Sequence, residues 1–132
     1  MAKFLSCCII DDDELFALSS KRILKETDFC ESVLFYTEGQ EALDGLIGLM
    51  IENIELPEII FLDLNMPKTD GWAFLEEFEQ LPAHKISHIQ IYITSSFISP
   101  NLIEKAKKFK SVKDYIVKPL TEKAVTSIIN SK

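Results

Sequence analysis

The sequence is short of positive charge. Lys and Arg number 14 against 21 Asp and Glu, a formal net charge of −7 over 132 residues. A nucleic-acid surface needs concentrated Lys and Arg to meet phosphates, so that class of partner is not expected. Also missing is any apolar run approaching the roughly 20 residues of a membrane span. The start, Met1-Ala2-Lys3-Phe4-Leu5-Ser6, has one lysine and reaches acids by Asp11, unlike a secretory leader. These features point to a cytoplasmic protein with no membrane association. Cysteine is scarce, with three in the chain, and no C-x-x-C or Cys/His cluster suggests structural metal. Cys7 and Cys8 are neighbours in an apparent strand, so their side chains point to opposite faces and do not pair easily. Cys30 stands alone in the sequence. All three read as small core or near-core residues, with redox sensing as a second reading.

What is present is an ordinary globular composition, 47% hydrophobic and 27% charged, in a chain long enough for one full core. Phe4 to Ile10 reads as a buried strand ending at Asp11. From Asp12 a helical pattern begins, with Leu15/Phe16 and Ile23/Leu24 two turns apart. Acids at its start and Lys21, Arg22 and Lys25 toward its end complement the helix dipole. Ser32 to Tyr36 is a second short strand, and Thr37 with Gln40 forms a capping-box pattern. Leu43, Leu46, Ile47 and Met50 mark one face of a second helix. The third strand runs from about Glu58 to Asp63. Asp70-Gly71 opens a third helix, with Phe74, Leu75, Phe78 and Leu81 on one face before Pro82. His88 to Ile93 is a fourth strand, ending at Thr94-Ser95-Ser96. Ser99-Pro100 then fits a cap and first helical position, and Leu102, Ile103, Ala106 and Phe109 follow. Val112 to Val117 is a fifth strand, leading to Lys118-Pro119. A closing helix presents Leu120, Ala124, Val125, Ile128 and Ile129.

Five repeats of strand then helix imply an α/β fold, a doubly wound parallel sheet with helices on both faces and right-handed crossovers. No linker or low-complexity segment divides residues 1–132, which read as a single domain with no output domain visible. Parallel strands deliver their carboxyl ends to one edge, where open α/β sheets bind ligands. Strand one ends in Asp11-Asp12, strand three in Asp63, strand four in Thr94 and strand five in Lys118. Asp63 alone could be a solvated strand-end acid. Three carboxylates, a hydroxyl and an ammonium at one edge suit phosphoryl transfer instead. Clustered carboxylates repel, which favours a bound hard cation. Mg²⁺, or Mn²⁺ in its place, takes oxygen ligands and keeps several waters. Asp12 and Asp63 are the expected direct ligands, Asp11 acts through water, and Asn65 offers its backbone carbonyl. Asp63 can also be the nucleophile that forms an acyl phosphate. Thr94 and Lys118 would hold the phosphoryl oxygens.

Those residues carry a resemblance. Ile9-Ile10-Asp11-Asp12-Asp13, Phe61 to Pro67, Asp70-Gly71, Ile93-Thr94-Ser95 and Tyr115 to Pro119, in this order, resemble a response-regulator receiver domain of bacterial two-component signalling. The likeness is chemotaxis-regulator-like and spans essentially the whole chain. It implies a flavodoxin-like fold with strand order 2-1-3-4-5. It also implies that Asp63 accepts a phosphoryl group from a histidine on a sensor kinase or a histidine phosphotransfer protein. By motif, Asp11 and Asp12 are the acidic pair, Thr94 the switch hydroxyl, Ser95 its phosphoryl-side neighbour, Lys118 the lysine and Tyr115 the switch aromatic. Partner preference would then change on the surface of the fourth helix and fifth strand, toward an unidentified downstream protein. The protein would be a monomer or a weak dimer, and a substrate and switch, not a turnover enzyme.

Simpler readings stand beside these. Asp13 is expected to start the helix and not to ligate metal. Lys105, Lys107, Lys108, Lys110 and Lys113 read as a solvated helix face or a partner surface. His84 and His88, far in sequence from the acids, are expected neither to ligate nor to donate phosphate. Trp72 and the helical phenylalanines read as core. Two departures from the family pattern matter: Phe109 to Asp114 lacks the Gly-Ala pair often seen there, and Asn65 and Ser96 occupy positions that resemble those tuning phosphoryl lifetime. Two other functions remain open. A small aspartyl-phosphate hydrolase would want an acid where Asn65 stands, and a non-phosphorylated interaction module would not need the intact acidic set. The loop through Met66-Pro67 and Asp70-Gly71 is expected to leave Asp63 exposed.

Overall fold

Strand alternation sorts the apolar runs into two layers. The computed structural model describes residues 3–64 and 71–131. Its strands are β1 Phe4–Ile10, β2 Cys30–Tyr36, β3 Ile59–Asp63, β4 Gln90–Ser95 and β5 Val112–Val117. The helices are α1 Glu14–Glu26, α2 Gly39–Ile51, α3 Gly71–Phe78, α4 Ala83–Ile86, α5 Pro100–Ala106 and α6 Glu122–Asn130. All neighbouring strands are parallel, in the order β2-β1-β3-β4-β5. This is the flavodoxin-like arrangement expected from the sequence.

The period of two decides which layer each residue joins. Cys8, Ile10, Ile60, Leu62, Ile91 and Ile93 pack on one face with Leu43, Leu46, Phe74 and Phe78 of α2 and α3. Cys7, Ile9, Ile59, Phe61 and Tyr92 pack on the other with Phe16, Leu24, Val125 and Ile128 of α1 and α6. The central strand β3 is buried along its whole length. A sheet covered on both faces requires such continuous apolar strands.

The structure departs from the sequence expectations at several helices. A short extra helix, α4, precedes β4, so one crossover carries two helices. Pro82 is its N-cap, and α3 has already ended at Phe78. The Thr37–Gln40 box does not form, because α2 starts one residue later, after Glu38. Glu41 reaches back instead, accepting from the Thr37 N–H at 3.3 Å. Leu15 leaves the buried stripe of α1 and is 78% exposed, because Phe16, Ala17, Ser20 and Leu24 set its inward face. Ser99 caps α5 as expected, accepting from Leu102 N–H at 3.1 Å with Pro100 next. That helix stops at Ala106, before Phe109.

The missing Gly-Ala pair before β5 has a substitute. Glu79, just past α3, accepts from both the backbone N–H and the hydroxyl of Ser111, each at 2.7 Å. Phe109 stacks on Trp72 of α3, with ring centroids 6.0 Å apart. Lys105 on α5 places its Nζ 4.6 Å from the Trp72 ring. These contacts join the end of α5 and the start of β5 to the α3 layer. Glu79→Ala leaves the half-buried Ser111 donors without that carboxylate, and it should cost about 1–3 kcal/mol. Urea unfolding measures this, and Glu79→Gln, which keeps one acceptor oxygen, should lose less.

Candidate functional site

The carboxyl ends of β1, β3, β4 and β5 converge as the topology requires. Asp11 directly follows β1, Asp63 closes β3, Thr94 and Ser95 close β4, and Lys118 directly follows β5. Cross-strand register sets Asp63 beside Thr94 and Thr94 beside Ile116. Asp11, Asp63 and Thr94 are all buried, and Asp12 is exposed. Carboxylate oxygens of Asp11, Asp12 and Asp63 lie within 4.8 Å of one another. Three acids that close, two of them buried, form an oxygen-only donor set suited to a hard divalent cation. The residues present fit such an ion. Asn65 lies outside the described residues, so its carbonyl contact stays an expectation.

Lys118 crosses this cluster. Its Nζ is 2.7 Å from Asp11 Oδ2 and 3.6 Å from Asp63 Oδ1. It also lies 4.6 Å from the centre of the Phe16 ring, an apolar flank that strengthens its charge interactions. The backbone fixes where this ammonium starts, because the Lys118 N–H donates to the Ser95 carbonyl at 2.8 Å. The following Lys118–Pro119 peptide is cis.

Asp11 is held on its other side by the Asp13 backbone N–H, which donates to Oδ1 at 2.9 Å. Asp13 caps α1 and does not join the acid cluster, accepting from the Leu15 and Phe16 N–H groups at 3.0 and 3.2 Å. Its expected role at the helix start is therefore realised. Burial pushes the Asp11 carboxyl above the usual carboxylate range, and the Asp63 charge adds to that. The Lys118 ammonium and the Asp13 N–H offset only part of it.

The other sequence-named residues divide in two. The Thr94 hydroxyl is buried and has no hydrogen-bond partner among the described residues. Such a group invites an acceptor, since an unmet buried hydroxyl costs free energy. Ser95 is differently engaged: its hydroxyl donates to the Phe97 carbonyl at 2.9 Å and accepts from the Phe97 N–H at 3.3 Å. Tyr115 lies on β5 opposite Ile93 and packs, half-buried, against the α2–α3 side of the core. Asp63 itself is only 4% exposed, so the expectation of an exposed acid is corrected. Its strand is covered on both faces up to its last residue.

One residue beside the site, Gly71, was read in the sequence as a helix start and part of the loop after Asp63, without its close contact to the strand end. A Cβ at Gly71 would sit 2.8 Å from the Asp63 carbonyl oxygen and 2.8 Å from Leu64 Cα. Both are backbone atoms that cannot swing aside, so α3 begins with glycine because it starts against the acid-bearing strand end. The Asp-Gly pair in the sequence was the available signal, and it pointed to a turn.

Comparison with known proteins agrees with this geometry. The family model described as response regulator receiver domain matches residues 7–130. The chemotaxis protein CheY of Listeria monocytogenes is 33% identical over 115 residues, 87% of each chain. A probable methanogenesis regulatory protein, FilR2, of Methanothrix harundinacea is 24% identical over 86% of this chain and 71% of its own. A two-component response regulator from Cytophaga hutchinsonii superposes with a TM-score of 0.86 at 27% identity, covering 98% of both chains.

Two measurements probe the site directly. Gly71→Ala should cost about 1–3 kcal/mol by overpacking, read as a lower urea midpoint. The second concerns Asp11. Its raised carboxyl contributes stability below the unfolded-state value, and that contribution is lost as pH rises through the folded value. Asp11→Asn removes this loss. The melting temperature of the metal-free variant, relative to the parent, should therefore climb from acidic to neutral pH. Added Mg²⁺ should raise the parent and barely move the variant. A gap independent of pH would contradict the assignment.

Proposed function

The chain belongs to the response regulator receiver domain family, and we propose that it is a phosphoacceptor switch whose Asp63 takes a phosphoryl group from a partner phosphohistidine. The observation that carries this reading is the Asp63 carboxylate at a sheet edge, within 4.8 Å of two further carboxylates and 3.6 Å from the Lys118 ammonium. An Asp63 oxygen attacks phosphorus in line with the phosphorus–nitrogen bond. That bond breaks, its electron pair stays on the imidazole nitrogen, and Asp63 becomes an acyl phosphate. Asp11, Asp12 and Asp63 would hold the divalent cation, with Asp11 acting through water and the Asn65 carbonyl completing the protein's share. When bound, the cation neutralises the carboxylates and the phosphoryl oxygens. Lys118 supplies a fixed positive charge to the incoming group, at a position already set by the Ser95 carbonyl. This arrangement needs little reorganisation as charge develops.

The switch follows from Thr94. Its hydroxyl, buried without a partner among the described residues, gains an acceptor once Asp63 carries a phosphoryl group. That biases the end of β4 toward Asp63 and makes room for Tyr115 on the neighbouring strand to turn inward. The change is a shift between two pre-existing states, driven by the new contact. It is read on the surface of α5 and β5, the fourth helix of the sequence reading. Exposed Phe97 and Val117 lie at its margin, and Lys105 of α5 with the lysines that follow it border it. The phosphodonor is a sensor histidine kinase or a histidine phosphotransfer protein. Exposed Leu15 and Leu18 of α1, just past the acids, give such a donor an apolar footing beside Asp63.

Incubation with Mg²⁺ and acetyl phosphate tests this reading by intact mass. One labile phosphoryl group should add to the parent, none to Asp63→Asn, and none when the cation is chelated. Lys118→Ala should slow the addition by at least about tenfold, by the scale for losing one preorganised electrostatic contact. Failure to form an adduct, with beryllofluoride also unbound, would leave an interaction module. Sustained hydrolysis of phosphate esters would indicate the hydrolase.

A further inference from the structure

The fold brings together two thiols that the sequence keeps 23 positions apart. Cys7 Sγ, in β1, lies 2.8 Å from Cys30 Sγ, at the first residue of β2. All three cysteines are free thiols. Cys8, though adjacent to Cys7, belongs to the core on the opposite face of the sheet. The pair is therefore specific to Cys7 and Cys30.

The two members differ in the ways that oxidation chemistry uses. Cys7 is completely buried. Cys30 is half-buried and lines an open surface groove of about 610 Å³, with Lys21, Lys25, Asp28 and Glu31 on its walls. A small oxidant can reach Cys30 and cannot reach Cys7 first. The hydrogen bond between them, together with burial, pushes the Cys7 thiol strongly up. The same bond, with support from the Cys7 backbone, draws the Cys30 thiol down against the opposing effect of its own partial burial. Of the two thiols, the one drawn down is therefore also the one a small oxidant can reach.

We propose that Cys7 and Cys30 form a reversible oxidation site, at which a hydroperoxide converts the two thiols into an intrachain disulfide. The Cys30 thiolate attacks one peroxide oxygen. The oxygen–oxygen bond breaks, the leaving hydroxide takes a proton to become water, and Cys30 becomes a sulfenic acid. Cys7 sulfur then attacks Cys30 sulfur. The sulfur–sulfur bond forms, the sulfur–oxygen bond breaks, and the hydroxyl leaves as water with the Cys7 proton. Two thiols give two electrons, and one peroxide becomes two waters (or a water and an alcohol). The site uses none of the residues at the carboxyl edge of the sheet, so it stands apart from the phosphoryl-transfer reading.

The test uses the full, reduced chain, a chelator and hydrogen peroxide at one equivalent per chain. After quenching, free thiols are alkylated in denaturant and the intact mass is read. The expected product has lost two hydrogens, carries one alkyl group and runs as a monomer without reductant. Dithiothreitol restores all three thiols, and non-reduced proteolysis gives one fragment pair joining Cys7 to Cys30. Cys30→Ser, a near-isosteric change at the half-buried position, gives no such product. Three alkylated thiols would overturn the proposal. So would a disulfide between two chains, or Cys30 driven to the sulfinic acid while Cys7 stays reduced.

Discussion

The ion pair between Lys118 and Asp11 holds the site together, and the remaining geometry can be followed outward from it. Two buried carboxylates and a third at their rim repel one another at the end of a parallel sheet. A single ammonium 2.7 Å from Asp11 and 3.6 Å from Asp63 offsets part of that repulsion without removing it. The raised Asp11 carboxyl shows which effect dominates: burial outweighs Lys118. A site left this far from electrostatic balance has unspent affinity for positive charge. In this family, that affinity falls to a divalent cation. The same argument explains why a protein of net charge −7 places its acids so unevenly. Asp11 and Asp63 are buried together, whereas the run of lysines extends from the end of α5 to the start of β5.

The position of Lys118 depends in turn on backbone far from its own charge. Its N–H is tied to the carbonyl of Ser95, and β5 owes its register to β4 and to the Glu79–Ser111 tie at its other end. Gly71 plays the matching part on the acid side, where its missing Cβ lets α3 begin against the carbonyl of Asp63. These contacts make the spacing between acid and ammonium a property of the fold. Two long side chains meeting in solvent would be worth little by comparison.

The strand half of this arrangement was legible in the sequence. Each strand ends on a polar residue after an apolar run, and the bounds of β1 and β5 agree with the structure to the residue. Helix detail was less legible, because helix faces and caps depend on where the first turn locks. Pro82 reads equally as a stop or as the residue before a new helix, and the structure uses it as the second. At α2 a one-residue shift replaced Thr37 and Gln40 with Glu38 and Glu41. Spacing grouped Leu15 with Phe16 in the apolar pattern, although Phe16 alone of the two sets the buried direction. Burial of Asp63 could not be read from its neighbours in sequence, since it comes from strands on either side. The Cys7–Cys30 contact was invisible for the same reason. Adjacency drew attention to Cys7 and Cys8, which strand geometry separates, while the start of β2 lying alongside β1 brings Cys30 to Cys7.

Asp63 and Thr94 together suggest why the family's chemistry is read as a signal. A turnover enzyme gains by keeping its groups satisfied before and after reaction, so that product leaves easily. Here the Thr94 hydroxyl has no partner among the described residues, and it sits on the strand next to Asp63. Under the proposed function, modifying Asp63 would therefore change which arrangement of β4 is lowest in free energy. A buried hydroxyl finding its acceptor contributes on the order of 1–3 kcal/mol, enough to change the ratio of two states by about 5- to 150-fold. That is the range in which a small chemical event at a sheet edge can alter what binds to the adjoining helix. In the proposed switch, the acidic cluster and Lys118 would prepare the transfer, and Thr94 would give it a structural consequence.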